Sequence, residues 1–222
     1  IKEIYQSDFA VEIKQDKSPV TLADRLSDEY IVAALGDLPR KHPVLSEESE
    51  AADYATRSNW PLCWLVDPLD GTRDFVERKG SFCVNIGLVY QGDIVLGVVH
   101  SPLQNKTYFA SRGQGAYVQS GDGPVLAIHV SQWRGQRPFK IAASRSHPNG
   151  ILPKFLMQIG DYEAFQLGSA MKMCMVASGE VDFYPRFGPT WEWDTAAAQC
   201  IVEEAGGKLT GLDFSALKYN RS

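Results

Sequence analysis

The segment WLVDPLDGTRDF, residues 64–75, runs from an apolar stretch straight into two aspartates three positions apart, Asp67 and Asp70, followed at once by Gly71 and Thr72. Carboxylates this close repel each other unless positive charge stands between them. A metal ion, a lysine or arginine, or water could fill that role. Asp67 ends a stretch that reads as a buried strand and precedes Pro68, so a place on a surface helix does not suit it. A strand ending in Asp-x-x-Asp-Gly-Thr gathers carboxylates and free backbone N–H groups at one point. Gly71 lets a ligand come near the main chain, Thr72 adds a hydroxyl, and the turn that follows presents a positive dipole end. The combination reads as a phosphate cradle beside a site for a hard cation.

Three further acids stand out, Asp24, Glu47 and Asp194. Each acid also has an ordinary structural role open to it. Thr21 and Asp24 have the spacing of a capping box, Asp70 and Asp194 could cap helices, and Glu47 sits in the acidic loop SEESE. Taken together they favour magnesium over zinc, because the donors are carboxylates from separated positions with no His or Cys beside them. Electrostatics makes a cation necessary if the ligand is a phosphate. A carboxylate and a phosphate about 4 Å apart repel by roughly 4 kcal/mol at an effective dielectric near 20, and divalent ions reverse that sign while activating a water. Phosphatases with an aspartyl-phosphate intermediate use Asp-x-Asp-x-Thr. The extra residue here turns the second side chain away from that chemistry, so a metal-activated water is preferred over a covalent intermediate.

These residues need a scaffold, and 222 residues with 44% apolar content suffice for one large domain or two small ones. A net charge of -5 argues against a broad basic face for nucleic acid. Cys63, Cys83, Cys174 and Cys200 are too far apart in sequence for a zinc clip or redox pair and sit mostly in apolar runs, which suits free thiols in a reducing, cytoplasmic setting. No apolar run reaches the roughly 20 residues needed to span a bilayer, and no signal peptide is visible. The opening IKEIY reads as part of a helix whose start lies upstream.

Periodicity predicts a helix over 21–36, on Leu22, Leu26, Tyr30 and Ala33, closed by Gly36. A short buried strand is expected at 62–66 and an antiparallel meander over 81–118. A strand at 139–143, helices at 152–159 and 169–178, a strand in VDFYP, an Ala-rich helix at 195–205 and a last strand in KLT follow. The pattern suggests layered α and β with two sheets, rather than one doubly wound parallel sheet. A single domain with subdomains 1–124 and 125–222 is expected, divided near the loop at 121–124.

SEES, DPLDGT and WDTAA, in that order along the chain, resemble the magnesium-dependent, lithium-sensitive phosphatases of the inositol monophosphatase superfamily, and the resemblance runs from SPVTLAD to EEAGG. It implies alternating α/β/α/β/α layers and hydrolysis of a phosphate monoester with two or three Mg2+ ions. It places the metal ligands on Glu47, Asp67, Asp70, Asp194 and the main-chain carbonyl of Leu69. A nucleophilic water is then held by Glu47 and the pair Asp24–Thr72, with Gly71, Thr72 and Asp194 facing the substrate. SRSH, GSAMK and YPRFGPT look most like the 3'(2'),5'-bisphosphate nucleotidases of the CysQ type. That branch implies adenosine 3',5'-bisphosphate as substrate, a by-product of sulfate activation, with His147, Ser169, Lys172 and Arg186 on the nucleotide. A guanidinium at Arg186 suits a phosphate held by two hydrogen bonds. Lys172 could equally lie on a solvated helix face, His147 could be an ordinary loop residue, and Trp191 and Trp193 are read as packing at the core or rim.

Two other readings stay open: an inositol or sugar phosphate phosphatase of the same superfamily, and a catalytically silent nucleotide-binding protein. The intact set Asp24, Glu47, Asp67, Asp70, Thr72 and Asp194 argues against the silent one. Arg186 with Lys172 argues for a substrate with a second phosphate. A monomer or a homodimer fits, and nothing amphipathic or lipid-modified suggests membrane attachment.

Overall fold

The computed structural model describes residues 1–221 apart from 134, 136, 137 and 145–149. The first elements are α1 (Lys2–Gln6), β1 (Val11–Ile13), β2 (Pro19–Thr21), α2 (Leu22–Gly36), β3 (Val44–Ser46) and α3 (Tyr54–Arg57). Then come β4 (Leu62–Asp70), α4 (Thr72–Val76), β5 (Cys83–Tyr90), β6 (Asp93–Ser101), β7 (Lys106–Ser111), β8 (Ala116–Ser120) and β9 (Leu126–Ile128). The last are β10 (Phe139–Ser144), α5 (Ile151–Ile159), β11 (Tyr162–Leu167), α6 (Met171–Ala177) and α7 (Glu192–Glu204).

Strands β3 to β9 form one seven-stranded sheet in sequence order, with β3 parallel to β4 and every later pair antiparallel. Alternation along β4 sends its side chains to two cores. Trp64 and Val66 meet Ile31 of α2 on one face. Cys63 and Leu65 join α6 and α7 on the other. Beyond α6 lies the parallel pair β10–β11, joined through α5. The layers α2, large sheet, α6 with α7, and β10–β11 thus alternate as expected. A small hairpin, β1–β2, adds a third sheet.

Helix α7 lies close against the large sheet. Its residues 195–202 are buried on every side, and Gly87 and Gly97, paired across β5 and β6, leave room for it. A Cβ on Gly97 would stand 2.1 Å from the carbonyl oxygen of Ala197, and one on Gly87 would stand 3.2 Å from the Ala197 nitrogen. Two missing side chains opposite an Ala-rich helix therefore set the helix-to-sheet distance.

Several elements differ from expectation. The expected helix at 21–36 is present, with Thr21 and Asp24 closing its capping box. Its buried face is Ala23, Asp24, Asp28 and Ile31, whereas Leu22, Leu26 and Tyr30 are exposed, Tyr30 to 77%. Two acids turn inward because each finds hydrogen-bond donors there. Strand β4 runs four residues beyond the expected end, through Pro68 to Asp70. VDFYP makes only a single bridge, Ile141 to Phe183, and KLT only one, Thr210 to Ala216.

Gly97→Ala is expected to lower unfolding stability by at least about 1–3 kcal/mol, the usual cost of overpacking, because the added methyl meets backbone rather than a movable side chain. Urea denaturation of the purified variant measures it, and unchanged stability would mean that α7 can move off the sheet.

Candidate active site

Side chains three residues apart on a regular strand point to opposite faces. Asp67 and Asp70 do not, because β4 is bulged between them. Asp67 lies opposite Asn85 and Asp70 opposite Cys83, so three steps on β4 match two on β5. The extra residue brings Asp70 back to the face of Asp67. Pro68 within the bulge has no N–H to leave unpaired, and its carbonyl accepts a hydrogen bond from Ser27 of α2 at 2.9 Å.

That face is the one α7 covers. Asp194, in the first turn of α7, brings an oxygen to within 4.8 Å of oxygens on Asp67 and Asp70. Asp67 is buried and the other two are half-buried. Among the described residues this is the one group of three or more acids, histidines or cysteines arranged to hold a metal ion. The donors are all carboxylate oxygens, which suits a hard cation.

The geometry leaves this negative charge poorly compensated. Burial, and then the charges of Asp70, Glu47 and Asp194, push the Asp67 carboxyl well above its usual range. Burial, with Asp194 beside it, raises Asp70 to about 6 even though Lys172 and the Ala170 N–H draw it down. A bound cation would offset both the burial and the repulsion that raise these carboxyls, so the residues present fit one.

Each ligand candidate is held from behind. Asp70 accepts from the Ala170 N–H and from Asn85 Nδ2 at 3.2 Å. Asp67 accepts from the Leu69 N–H at 3.1 Å. Asp194 accepts from Thr190 Oγ1 at 2.8 Å and the Trp191 N–H at 3.1 Å. The helix begins at Glu192 rather than at the expected 195, so Asp194 is not its N-cap but stands at the third helical position, where it ties down the Trp191 N–H while its carboxylate also joins the acid cluster.

Glu47 stands at the end of β3, where its N–H donates to Val66 of β4 at 3.1 Å. Its carboxylate lies outside the tight trio and is paired with Lys14 Nζ at 3.0 Å. Lys14 also pairs with Glu48. Burial still lifts Glu47 to about 7 against the pull of Lys14. The loop that carries it is fastened by Asp28, which accepts from Ser46 and Ser49.

Asp24 and Thr72 come together as expected. Thr72 Oγ1 stands 3.0 Å from Asp24 Oδ1 and 3.1 Å from the Leu69 carbonyl. The other Asp24 oxygen accepts from the Thr21 N–H at 2.8 Å and from its hydroxyl at 2.7 Å. Gly71 has φ +94°, and a Cβ there would stand 2.8 Å from the Ser81 carbonyl, so only glycine makes this turn into α4.

On the far side of Asp70, Ser169 adopts φ +55° ahead of Ala170. Lys172 is not on a solvated face. It is 3% exposed, with Nζ donating to the Ser169 carbonyl at 2.7 Å and lying 5.1 Å from the centre of the Tyr184 ring. Burial lowers it to about 8, Asp70 opposing and Arg186 assisting. Arg186 Nη2 donates to the Pro189 carbonyl at 2.5 Å, and its buried Nε has no partner among the described residues. His147 lies outside the described residues.

Lys14, Asn85 and Asp28 are parts of the site that the residue pattern alone did not single out. A lysine in a hairpin and an asparagine inside a strand carry no spacing signal. Only the buried position of Asn85 opposite Asp67 reveals it.

A profile of the inositol monophosphatase family matches residues 1–221. The chain belongs to the inositol monophosphatase family. It is 41% identical over 206 residues to a 3'(2'),5'-bisphosphate nucleotidase CysQ of Salmonella typhimurium, covering 93% of this chain and 81% of that one. The Escherichia coli K12 protein of the same name is 38% identical over 221 residues, covering 99% and 87%. The crystal structure of CysQ from Bacteroides thetaiotaomicron superposes with a TM-score of 0.86 at 38% identity, covering 99% of this chain and 86% of that one.

The raised carboxyls give a signed pH dependence. Folding tightens proton binding at Asp70, from 3.8 to about 6, and at Glu47, from 4.5 to about 7. Their contribution to stability is complete below the unfolded values and lost as pH rises through the folded ones. Metal-free protein should therefore melt at a lower temperature at pH 8 than at pH 5. Added Mg2+ should raise the melting temperature more at pH 8 than at pH 5, since a cation displaces the protons. Calorimetry at the two pH values checks both, and an equal Mg2+ effect would remove the acid trio as the site of binding.

Proposed function

We propose that the protein hydrolyses the 3'-phosphate of adenosine 3',5'-bisphosphate to AMP and phosphate, with Mg2+ in the acid cluster. The observation that carries this reading is the convergence of Asp67, Asp70 and Asp194 beside the hydrogen-bonded pair Asp24–Thr72. The nucleotidase names of relatives 38–41% identical support the substrate.

Asp67, Asp70 and Asp194, with Glu47 and the Leu69 carbonyl, would hold two or three ions. Bound Mg2+ supplies positive charge for the phosphate and acidifies a water. The chain's own residues do the rest. Thr72 Oγ1 hands its proton toward Asp24 Oδ1 while taking one from the attacking water, and Asp24 is kept from turning by Thr21 on its second oxygen. Glu47 orients the same water from the β3 side. The new bond is from water oxygen to phosphorus and the broken one from phosphorus to the ribose 3'-oxygen, which takes a proton from a second water as it leaves; the proton passed to Asp24 neutralises the hydroxide so formed. Gly71 allows the phosphate close to the main chain. Arg186 provides for the 5'-phosphate, with His147, Ser169 and Lys172 assigned to the nucleotide alongside it. Four free, buried cysteines support a reducing, cytoplasmic setting. No helix among the described residues is long and apolar enough to cross a membrane.

Phosphate release from adenosine 3',5'-bisphosphate and from inositol 1-phosphate, with and without Mg2+, tests the assignment. Mg2+-dependent preference for the nucleotide is expected. Preference for the inositol phosphate would keep the chemistry and overturn the substrate. Asp67→Asn should cut turnover by more than about 100-fold, beyond what loss of an outer-shell partner costs, and weaken Mg2+ binding by calorimetry. Arg186→Ala should reduce kcat/KM about tenfold or more for the bisphosphate and much less for adenosine 3'-monophosphate. Equal losses on the two would show that Arg186 shapes the loop and does not hold the second phosphate.

A further inference from the structure

Trp191 is 63% exposed although it stands beside the acid cluster. Its main chain is fixed there, with the N–H donating to Asp194 Oδ2 at 3.1 Å. Its ring is fixed as well. The indole lies 5.5 Å from that of Trp193 with only 14° between the planes, and Trp193 is itself packed on the main core. One face of Trp191 is thus covered and the other is open to solvent. An indole left in water forgoes the gain of burying it, and its open face suits a flat π partner in offset stacking. The same stretch of chain carries Arg186, tied through Nη2 to the Pro189 carbonyl two residues before Trp191. A guanidinium, an aromatic plane and one carboxylate of the acid cluster, Asp194, therefore follow one another along residues 186–194, answering to the three parts of a nucleotide bisphosphate: second phosphate, base and scissile phosphate.

We propose that the open face of Trp191 is the platform on which the base of the nucleotide stacks, making it a specificity-determining residue; this rests on the nucleotide reading given above. Stacking is tolerant of base identity, so the platform selects nucleotides over sugar phosphates without choosing among bases. Adenosine and uridine 3',5'-bisphosphates should differ far less than either differs from an abasic ribose bisphosphate.

The experiment compares wild type, Trp191→Ala and Trp191→Phe in Mg2+. The ratio of kcat/KM for adenosine 3',5'-bisphosphate over the abasic ribose bisphosphate should fall about tenfold in Trp191→Ala and recover most of the way in Trp191→Phe. Calorimetric binding of AMP should weaken by a similar factor in Trp191→Ala. AMP bound equally tightly by wild type and Trp191→Ala overturns the platform, as does an equal loss on both substrates, which would make Trp191 a prop for the start of α7. Wild-type protein that binds AMP through Trp191 yet releases no phosphate would leave the platform standing and sink the hydrolytic reading alone.

Discussion

Mutual repulsion among Asp67, Asp70 and Asp194 is the constraint around which this fold is arranged. Three carboxylates with oxygens inside 4.8 Å are an unfavourable thing to build into a half-buried site. Burial first, and this repulsion after it, raise the protonation of Asp67 and Asp70. No one element could force the three together. Two come from a single strand and the third from a helix more than a hundred residues later. The stability for this must come from packing elsewhere, chiefly the apolar core between α7 and the large sheet.

Two backbone devices meet the constraint, and both depend on what is missing from a side chain. The bulge in β4 turns an odd spacing into a shared face, and Pro68 allows it because it has no ladder bond to lose. Gly87 and Gly97 let α7 come so near the sheet that Ala197 occupies the place of their side chains. A helix standing farther out would carry Asp194 away from the pair on β4. The depth of α7 on the sheet therefore sets the width of the acid cluster, so a packing property in the core governs electrostatics at the rim.

The sequence made some of this legible and hid the rest for physical reasons. The meander could be read because its strands alternate and their turns are short, as at Gln91–Gly92. The helix at 21–36 could be read from its capping box, but its inward face could not. Apolar spacing pointed to Leu22, Leu26 and Tyr30, while the structure buries Asp24 and Asp28 because Thr21, Thr72, Ser46 and Ser49 give them donors. Strand β11 escaped notice because it is short and its residues are mostly exposed. In the site, the carboxylates could be picked out by type and motif. Lys14 and Asn85 could not, since what makes them matter is a partner brought near only by the tertiary fold.

The two lysines at the site explain how such a cluster can persist without being neutralised. Lys14 reaches Glu47 and Glu48 from the hairpin side, and Lys172 reaches toward Asp70 from beneath the Ser169 turn. Each touches the margin of the acid group. Neither has a hydrogen bond to the trio among the contacts of the described residues; Lys172 Nζ donates to the Ser169 carbonyl and Lys14 Nζ to Glu47 and Glu48. A lysine placed among the three oxygens would compete with a divalent ion for them. Cations at the edge lower the cost of assembling the carboxylates yet leave the centre negative. The arrangement keeps enough positive charge to fold and enough unmet negative charge to bind a metal, and the balance lies in where the ammonium groups stop.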